Sequence, residues 1–234
     1  MISLVTWVLF QIILLALTLF IGINSFMIFF DLFQGFPQQL FLSLLIALLF
    51  TLFFSLFVFA IIHKIARLLM HNEEGILTGR DMALWGITMT CTDTAYFMVN
   101  KFFINQIFPA IFYKLFGGKL GKGVAIYARL WDVELIEVGD YTSIGTGCII
   151  GAHAISQGEL FTKRIKIGKN CTIVTGAVIL PGVTIGDQVI VASNSKIPAN
   201  RILDSNLIYA GSSVKKIREW HGESPWSNLS KNGE

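Results

Sequence analysis

The sequence predicts a membrane protein in two parts: two N-terminal transmembrane helices with interfacial helices after them, and then a parallel β-helix. Two observations support this. The apolar residues of the 234-residue chain are concentrated in its first third, and the second half repeats with a period of six residues. One soluble domain would not have so uneven a composition, so the chain is expected to have two structurally distinct parts.

The first part contains two long apolar runs. No charged residue occurs in 2–30 or in 40–62. A helix needs about 20 apolar residues to cross a bilayer, so each run is long enough for one span. A cleaved signal peptide is the alternative for the first run, but that run is about twice as long as the usual apolar region of ~7 to 15 residues and has no basic residues before it. We therefore expect two transmembrane helices within 1–70.

The distribution of basic residues predicts the orientation. The segment between the two runs has no lysine or arginine, whereas Lys64, Arg67 and Arg80 follow the second run. By the positive-inside rule, both termini and the long C-terminal part are cytoplasmic. Segment 71–118 is expected to form interfacial or connecting helices, because its aromatic stretches are interrupted by polar residues. A re-entrant third segment within 83–116 is the alternative.

Charge and cysteine usage exclude some functions. The net charge is only +3, and the basic residues are scattered, which does not favour nucleic-acid binding. The three cysteines, Cys91, Cys148 and Cys171, are odd in number and lack CxxC spacing. They therefore predict buried thiols rather than a zinc site or a disulfide framework.

A six-residue repeat organises 119–211. Nine units begin with a β-branched aliphatic residue, which we call the anchor: Val138, Ile144, Ile150, Ile167, Ile173, Ile179, Ile185, Val191 and Ile197. On an α-helix, residues six positions apart would not stay on one face of the helix. The period suits instead one flat side of a triangular coil, whose stacked strands lie ~4.8 Å apart. Units from Leu120 and Ile126 keep the frame, Asp132 breaks it, and 212–234 is expected to form a C-terminal helix and tail.

These residues resemble the hexapeptide-repeat acyltransferases. The segment IFYKLFGGKLGKGVAI is similar to the family's helix and glycine-rich step, the repeats follow, and IPANRI…IYAGSSVKKIRE is similar to its closing segment, with Ser213 where the family often has proline. The resemblance implies a left-handed parallel β-helix of about five coils, a homotrimer with active sites between subunits, and acetyl-CoA or another acyl-CoA as co-substrate. With DVELIEVGD and the two helices, the chain is most similar to membrane-linked hexapeptide domains of polylysine-type peptide synthetases.

Other proteins with this coil fit less well. A γ-class carbonic anhydrase needs three histidine ligands for zinc, but of the four histidines only His153 lies within the repeats. No metal site and no permanently bound cofactor is expected. Nucleotidyltransferase tails share the coil as well, and fold does not imply function.

His153 is the candidate general base. Anchors Ile150 and Ile167 are 17 positions apart, one fewer than three hexads, so the coil is interrupted once, just after His153. Imidazole titrates near neutral pH and can take the proton of an attacking hydroxyl or amine. The resemblance implies this role for a histidine beside an extended loop, and we expect its ring to point outward. A surface histidine on a polar turn is the alternative.

A base benefits from an orienting partner. The candidates are Asp132, Glu134 and Glu159. Asp132 occupies an anchor position, where an unpaired carboxylate would be costly; alternatively it is a corner residue at which the frame slips.

The coenzyme A site is implied by the resemblance alone. Gly176, Ala177, Ala192 and Ser193 would line the pantetheine arm, and Lys196, Lys215, Lys216 and Arg218 would contact the phosphates. For each lysine, a solvated surface charge is an equally good interpretation.

The sequence thus predicts a membrane-anchored acyltransferase, most simply an acetyltransferase, that acts on a hydroxyl or amine of an acceptor, which can be lipid-linked. Two alternatives stay open: a non-catalytic trimeric membrane scaffold, and a lipid acyltransferase that depends on acyl carrier protein. The sequence does not identify the acceptor, the acyl chain length or the choice between O- and N-transfer.

Overall fold

The computed structural model describes residues 4–35, 38–102 and 107–219. It divides the chain into two compact units. The helical unit comprises Met1–Glu73 and Thr78–Ile104, and the coil unit comprises Glu74–Leu77 and Asn105–Glu234. A short piece of the linker between two helices therefore belongs to the coil unit.

The helical unit consists of α1 (Leu4–Leu32), α2 (Gln39–Leu69) and α3 (Gly79–Phe102). Among the described residues, the segments Ile12–Leu32 and Gln39–Leu69 are long and apolar enough to cross a membrane. Both expose many large apolar side chains on their outer surfaces. The two predicted spans therefore correspond to two helices of suitable length and composition.

A polar contact joins α2 to α3. Nδ1 of the buried His63 lies 3.4 Å from the backbone oxygen of Thr88 and 3.3 Å from Oγ1 of Thr92. Segment 71–118 was expected to contain only helices, but Gly75–Leu77 is a strand, β1. The rest of its described part consists of α3 and of α4 (Ile107–Leu115).

Helix α4 leads into the coils. Its buried Tyr113 donates a hydrogen bond to the backbone oxygen of Ala128 at 3.1 Å and accepts one from the backbone nitrogen of Leu130 at 3.2 Å. The step to the first strand passes through Gly118, where a Cβ would lie 2.9 Å from the backbone oxygen of Tyr113. The predicted helix and glycine-rich step are therefore confirmed.

The coil unit is a parallel β-helix with three faces. Face one contains β2 (Lys119–Leu120), β5 (Ile136–Val138), β10 (Ile165–Ile167), β13 (Thr184–Ile185) and β16 (Ile202–Leu203). Face two contains β3 (Ala125–Ile126), β6 (Ser143–Ile144), β11 (Thr172–Ile173), β14 (Ile190–Val191) and β17 (Leu207–Ala210). Face three contains β4 (Arg129–Trp131), β7 (Ile149–Gly151), β12 (Val178–Ile179) and β15 (Lys196–Ile197). The five-stranded face one sets the number of coils at five.

The nine anchors form the core of the coils. All are at most 3% exposed. Val138 pairs with Ile167, which pairs with Ile185, and equivalent ladders run up the other two faces. Burial of apolar surface at roughly 25 cal/mol per Å² makes such ladders the main stabilising contribution. The predicted β-helix and its inward positions are confirmed.

The cysteines are buried, as predicted. In the coils, Sγ of Cys148 donates to the backbone oxygen of Val174 at 3.1 Å, and Sγ of Cys171 donates to that of Gly186 at 3.0 Å. Burial raises the pKa of both thiols. These thiols are therefore packing groups, protonated at neutral pH.

The interruption after His153 is a hairpin. Strands β8 (His153–Ser156) and β9 (Glu159–Thr162) pair antiparallel, and β1 pairs antiparallel with the other edge of β9. The sequence predicted an extended loop here and no strand at β1. The two pairing partners are more than 80 positions apart, as in the Thr162–Gly75 hydrogen bond, so no local pattern reports their contact.

The prediction of a C-terminal helix is wrong for the part of 212–234 that the structure describes. Lys215–Glu219 forms a strand, β18, that pairs antiparallel with β17. The last strand of face two leaves backbone groups at its edge, and a returning strand satisfies them. Residues 220–234 lie outside the described residues.

We expect Leu77→Ala to loosen the β1–β9–β8 sheet. Leu77 pairs with Leu160, and these side chains are 1% and 2% exposed. Truncation of a buried leucine costs about 2 to 5 kcal/mol, so amides of 153–162 should exchange faster in deuterium-exchange mass spectrometry while those of the coils keep their protection. The matched control is Ile76→Ala, since Ile76 is 54% exposed. Equal uptake in the two variants would contradict this assignment of the packing.

Candidate active site

The site is built around a contact between His153 and Asp132. Nδ1 of His153 lies 2.5 Å from Oδ2 of Asp132. The side chains are 14% and 0% exposed, respectively. The carboxylate is thus wholly buried, and the imidazole keeps a small accessible surface.

Coil stacking brings these residues together although they are 21 positions apart. Asp132 follows β4 and His153 follows β7, and these two strands are neighbours in which Trp131 pairs with Gly151. Both residues therefore lie at the corner where face three leads to face one, in successive coils. The pairing of Leu130 with Ile150 also shows that Leu130, and not Asp132, takes the inward position of its coil.

Asp132 is therefore a corner residue at which the frame slips, and it is also the partner of His153. Its backbone is left-handed, with φ of 56°, and it precedes a 3₁₀ turn, Val133–Leu135. The backbone nitrogen of Leu135 donates to the backbone oxygen of Asp132 at 2.8 Å. Aspartate tolerates this conformation better than most residues. From this corner its carboxylate reaches His153 in the next coil.

The contact determines which nitrogen of His153 can act as a base. An ionised carboxylate only accepts hydrogen bonds, so Nδ1 carries the proton and Nε2 is left unprotonated. A neutral imidazole in this tautomer accepts a proton at Nε2, and the buried negative charge of Asp132 stabilises the cation that forms. This arrangement suits general base catalysis.

The other two candidate acids lie elsewhere. Glu134 is in the 3₁₀ turn, where its carboxylate oxygens are buried and its backbone oxygen accepts a hydrogen bond from Nη1 of Arg164 at 3.4 Å. Glu159 is exposed at the start of β9, opposite Ser156. Of the three predicted acids, Asp132 is the one that bonds Nδ1.

A cluster around Arg164 was not foreseen. Arg164 donates from Nε and from its backbone nitrogen to the carboxylate of Glu74, at 3.2 and 3.1 Å, and from Nη1 to Glu137 at 3.2 Å. It thereby ties the linker before β1 to the end of the hairpin and to face one. A hydrogen bond from Lys119 is the main cause that lowers the pKa of Glu137. The only signal in the sequence was the arginine within the interruption.

Comparison with known proteins identifies the family. Residues 164–199 match the family described as bacterial transferase hexapeptide (six repeats). The Escherichia coli K12 protein named colanic acid biosynthesis acetyltransferase WcaF is 32% identical, in a match that covers 47% of this chain and 74% of that protein. The chain belongs to the hexapeptide-repeat acyltransferases.

Two further proteins are similar to this chain. Delta-poly-L-ornithine synthetase of Acinetobacter baumannii is 26% identical to this acyltransferase over 45% of the chain and 8% of that protein, in agreement with the predicted similarity to peptide synthetases. A hexapeptide-repeat containing acetyltransferase of Vibrio cholerae, solved in complex with acetyl coenzyme A, has 18% identity and a TM-score of 0.45, covering 61% of this chain and 90% of that one.

The coenzyme A residues expected of an acyltransferase lie away from the His153 corner. Gly176, Ala177, Ala192 and Ser193 are at the corner between faces two and three, in the third and fourth coils. The side chain of Ala177 is fully buried in the coil, which does not suit contact with a ligand outside it. The backbone also explains why residue 176 is a glycine, because its φ is 75° and a Cβ there would collide with Oδ1 of Asn194.

The basic candidates are spread over two places. Lys196 is exposed on face three, in the same ladder as Ile149 and Val178. Lys215 and Lys216 are exposed on β18, where Nζ of Lys216 lies 3.6 Å from Glu219. Arg218 belongs to the same strand, and its side chain lies outside the described part of the structure. One chain therefore does not bring all the predicted donor-binding residues together with His153.

Proposed function

We propose that this acyltransferase is membrane-anchored and moves an acyl group, acetyl in the simplest case, from a coenzyme A thioester to a hydroxyl or amine, with His153 as general base. The contact between His153 Nδ1 and the buried Asp132 carboxylate carries this proposal. It supplies a base with a defined tautomer on a fold that belongs to an acyltransferase family. The name of the WcaF relative supports an acetyl group.

The chemistry balances with these residues. Nε2 of His153 takes the proton of the acceptor as its oxygen or nitrogen attacks the thioester carbonyl, and a tetrahedral intermediate forms. Asp132 stabilises the imidazolium through Nδ1–H. When the intermediate collapses, the carbon–sulfur bond breaks and the imidazolium returns its proton to the departing thiolate. His153 is then ready for the next turnover.

A second copy of the chain would complete the site. His153 and Asp132 lie at the corner between faces three and one, whereas the donor-binding candidates Gly176, Ala192 and Ser193 lie at the corner between faces two and three. If these residues act in one reaction, the His153 corner of one subunit faces the other corner of its neighbour. The homotrimer that the family resemblance implied provides such an arrangement.

Two observations support the membrane anchor. Segments Ile12–Leu32 and Gln39–Leu69 are long and apolar enough to span, and both expose large apolar side chains. By the positive-inside rule, the basic residues that follow the second helix favour a cytoplasmic location for both termini and the coil unit. An acceptor held in the same membrane, such as a lipid-linked molecule, would then reach the enzyme by diffusion in two dimensions.

The test uses the full chain purified in detergent. We expect release of free coenzyme A from acetyl-CoA in the presence of a hydroxyl or amine acceptor, with one acetyl group added to the product by mass spectrometry. The acceptor panel contains a galactoside, ornithine and a lipid extract. Mild alkali separates the two product classes, because it cleaves acetyl esters and leaves acetamides intact.

Two results would overturn the proposal. Turnover with an acyl-carrier-protein thioester but not with acetyl-CoA would show that the donor is wrong. Absence of thioester consumption with every acceptor, together with no thermal stabilisation by millimolar coenzyme A, would favour the trimeric scaffold.

A further inference from the structure

The residue before Asp132 also contacts the imidazole. In β4 the side chains alternate, so the buried Leu130 points into the coil while Arg129 and Trp131 point outward. The rings of Trp131 and His153 are stacked, with centroids 5.6 Å apart and an interplanar angle of 20°. Trp131 and Asp132, which are consecutive at the end of β4, thus contact His153 at its ring face and at Nδ1.

The opposite strand leaves room for the indole. Trp131 pairs with Gly151 on β7, and a Cβ at Gly151 would lie 3.4 Å from Cε3 of Trp131. Because Gly151 has no side chain, the indole can lie across that strand toward His153, two residues further on. The guanidinium carbon of Arg129 lies 5.4 Å from the centre of the indole, which adds a cation–π contact that holds it there.

We propose that Trp131 is a positioning residue for His153. The proposal rests on the proposed function, in which Nε2 of His153 takes the acceptor's proton. The hydrogen bond between Nδ1 and Asp132 does not by itself fix the angle of the ring about the line that joins the two atoms. Stacking on Trp131 removes that rotation, so the two contacts together fix the direction of Nε2. Misplacement of a catalytic group by about 1 Å can reduce a rate by about 10²-fold.

The test compares Trp131→Leu with Trp131→Phe. Phenylalanine keeps an aromatic face for stacking, and leucine keeps apolar bulk without one. We expect the leucine variant to lower kcat by about 10- to 100-fold with KM for acetyl-CoA within about twofold of the original, and the phenylalanine variant to stay within about threefold in kcat. Equal kcat in the leucine variant and the unchanged protein would overturn the proposal.

An NMR measurement separates this proposal from the base assignment and does not depend on activity. In the unchanged protein the ring protons of His153 should be shifted upfield by the indole, and the Nδ1–H resonance should be protected from exchange. Trp131→Leu should remove the upfield shift and broaden the Nδ1–H signal. Should the leucine variant not fold, absence of the upfield shift in the unchanged protein would itself refute the stacking. Turnover that survives loss of His153 would refute the proposed function instead, whatever the ring geometry.

Discussion

His153→Asn should lower the rate of acyl transfer by about 10²- to 10⁴-fold, the range that a positioned general base contributes. Asparagine has no group that titrates near neutral pH, so the acceptor would have to lose its proton to water. Its amide nitrogen can still donate to Asp132. The measurement is coenzyme A release under saturating thioester and acceptor, with a melting curve of each protein.

The asparagine variant is preferable to alanine for a physical reason. The carboxylate of Asp132 is fully buried, and removal of His153 would break a buried pair, which typically costs about 3 to 5 kcal/mol. Loss of activity in His153→Ala would then reflect both the missing base and the lower stability of the folded protein. His71→Asn is the matched control, because the His71 side chain is exposed in the linker between α2 and α3. We expect that variant to keep full activity.

Two results would count against the base assignment. Turnover of the asparagine variant within a few fold of the unchanged protein would show that another group takes the proton. A rise in KM for acetyl-CoA with unchanged kcat would make His153 a binding residue.

Asp132→Asn should have an effect of similar size through the tautomer of His153. An asparagine amide can donate to Nδ1, and the imidazole proton would then move to Nε2, the nitrogen that must accept the acceptor's proton. Substitution of the orienting acid in a comparable pair lowers kcat by about 10⁴-fold, so we expect a loss of about 10²- to 10⁴-fold here. The check is kcat, together with a nitrogen NMR spectrum of His153 that reports which ring nitrogen is protonated.

The Asp132→Asn variant should fold. Residue 132 has φ of 56°, and asparagine is among the residues that adopt this left-handed conformation most readily. Glu159→Gln serves as the control, because Glu159 is an exposed residue of β9, placed by the hairpin opposite Ser156. A large loss in Glu159→Gln and a small one in Asp132→Asn would reverse our choice of orienting acid.

The coils were predictable because their signal is local and repeats. Each anchor is buried for the same reason as the next, and the ladder of Ile150, Ile179 and Ile197 shows the pairing that the six-residue period implies. The buried thiols and the two long apolar helices follow from composition in the same way. In the coils, burial of apolar side chains dominates all competing effects.

The hairpin after His153, strand β1 and strand β18 were not predictable in the same way. Strand β1 is three residues long and has no repeat of its own, and it is stabilised by pairing with Glu159–Thr162 in a distant part of the chain. Lys215–Glu219 is strongly polar, and it becomes a strand because β17 offers an edge. Pairing with an available strand edge overrides weak local propensity in both cases, across more than 80 positions for β1 and across about 5 to 12 positions for β18.

The candidate pair of His153 and Asp132 shows the same difference between a local signal and a contact that depends on strand pairing. The hexads, the gap between Ile150 and Ile167 and the resemblance to the acyltransferases were sufficient to single out His153 as the candidate base. Three acids were left as possible partners. Stacking of β7 on β4 places His153 one coil above Asp132, with Trp131 against its ring, and so selects one acid and one platform. Selection among residues some 20 positions apart needs the register between coils, because distance in space depends on how the strands pair and not on their order along the chain.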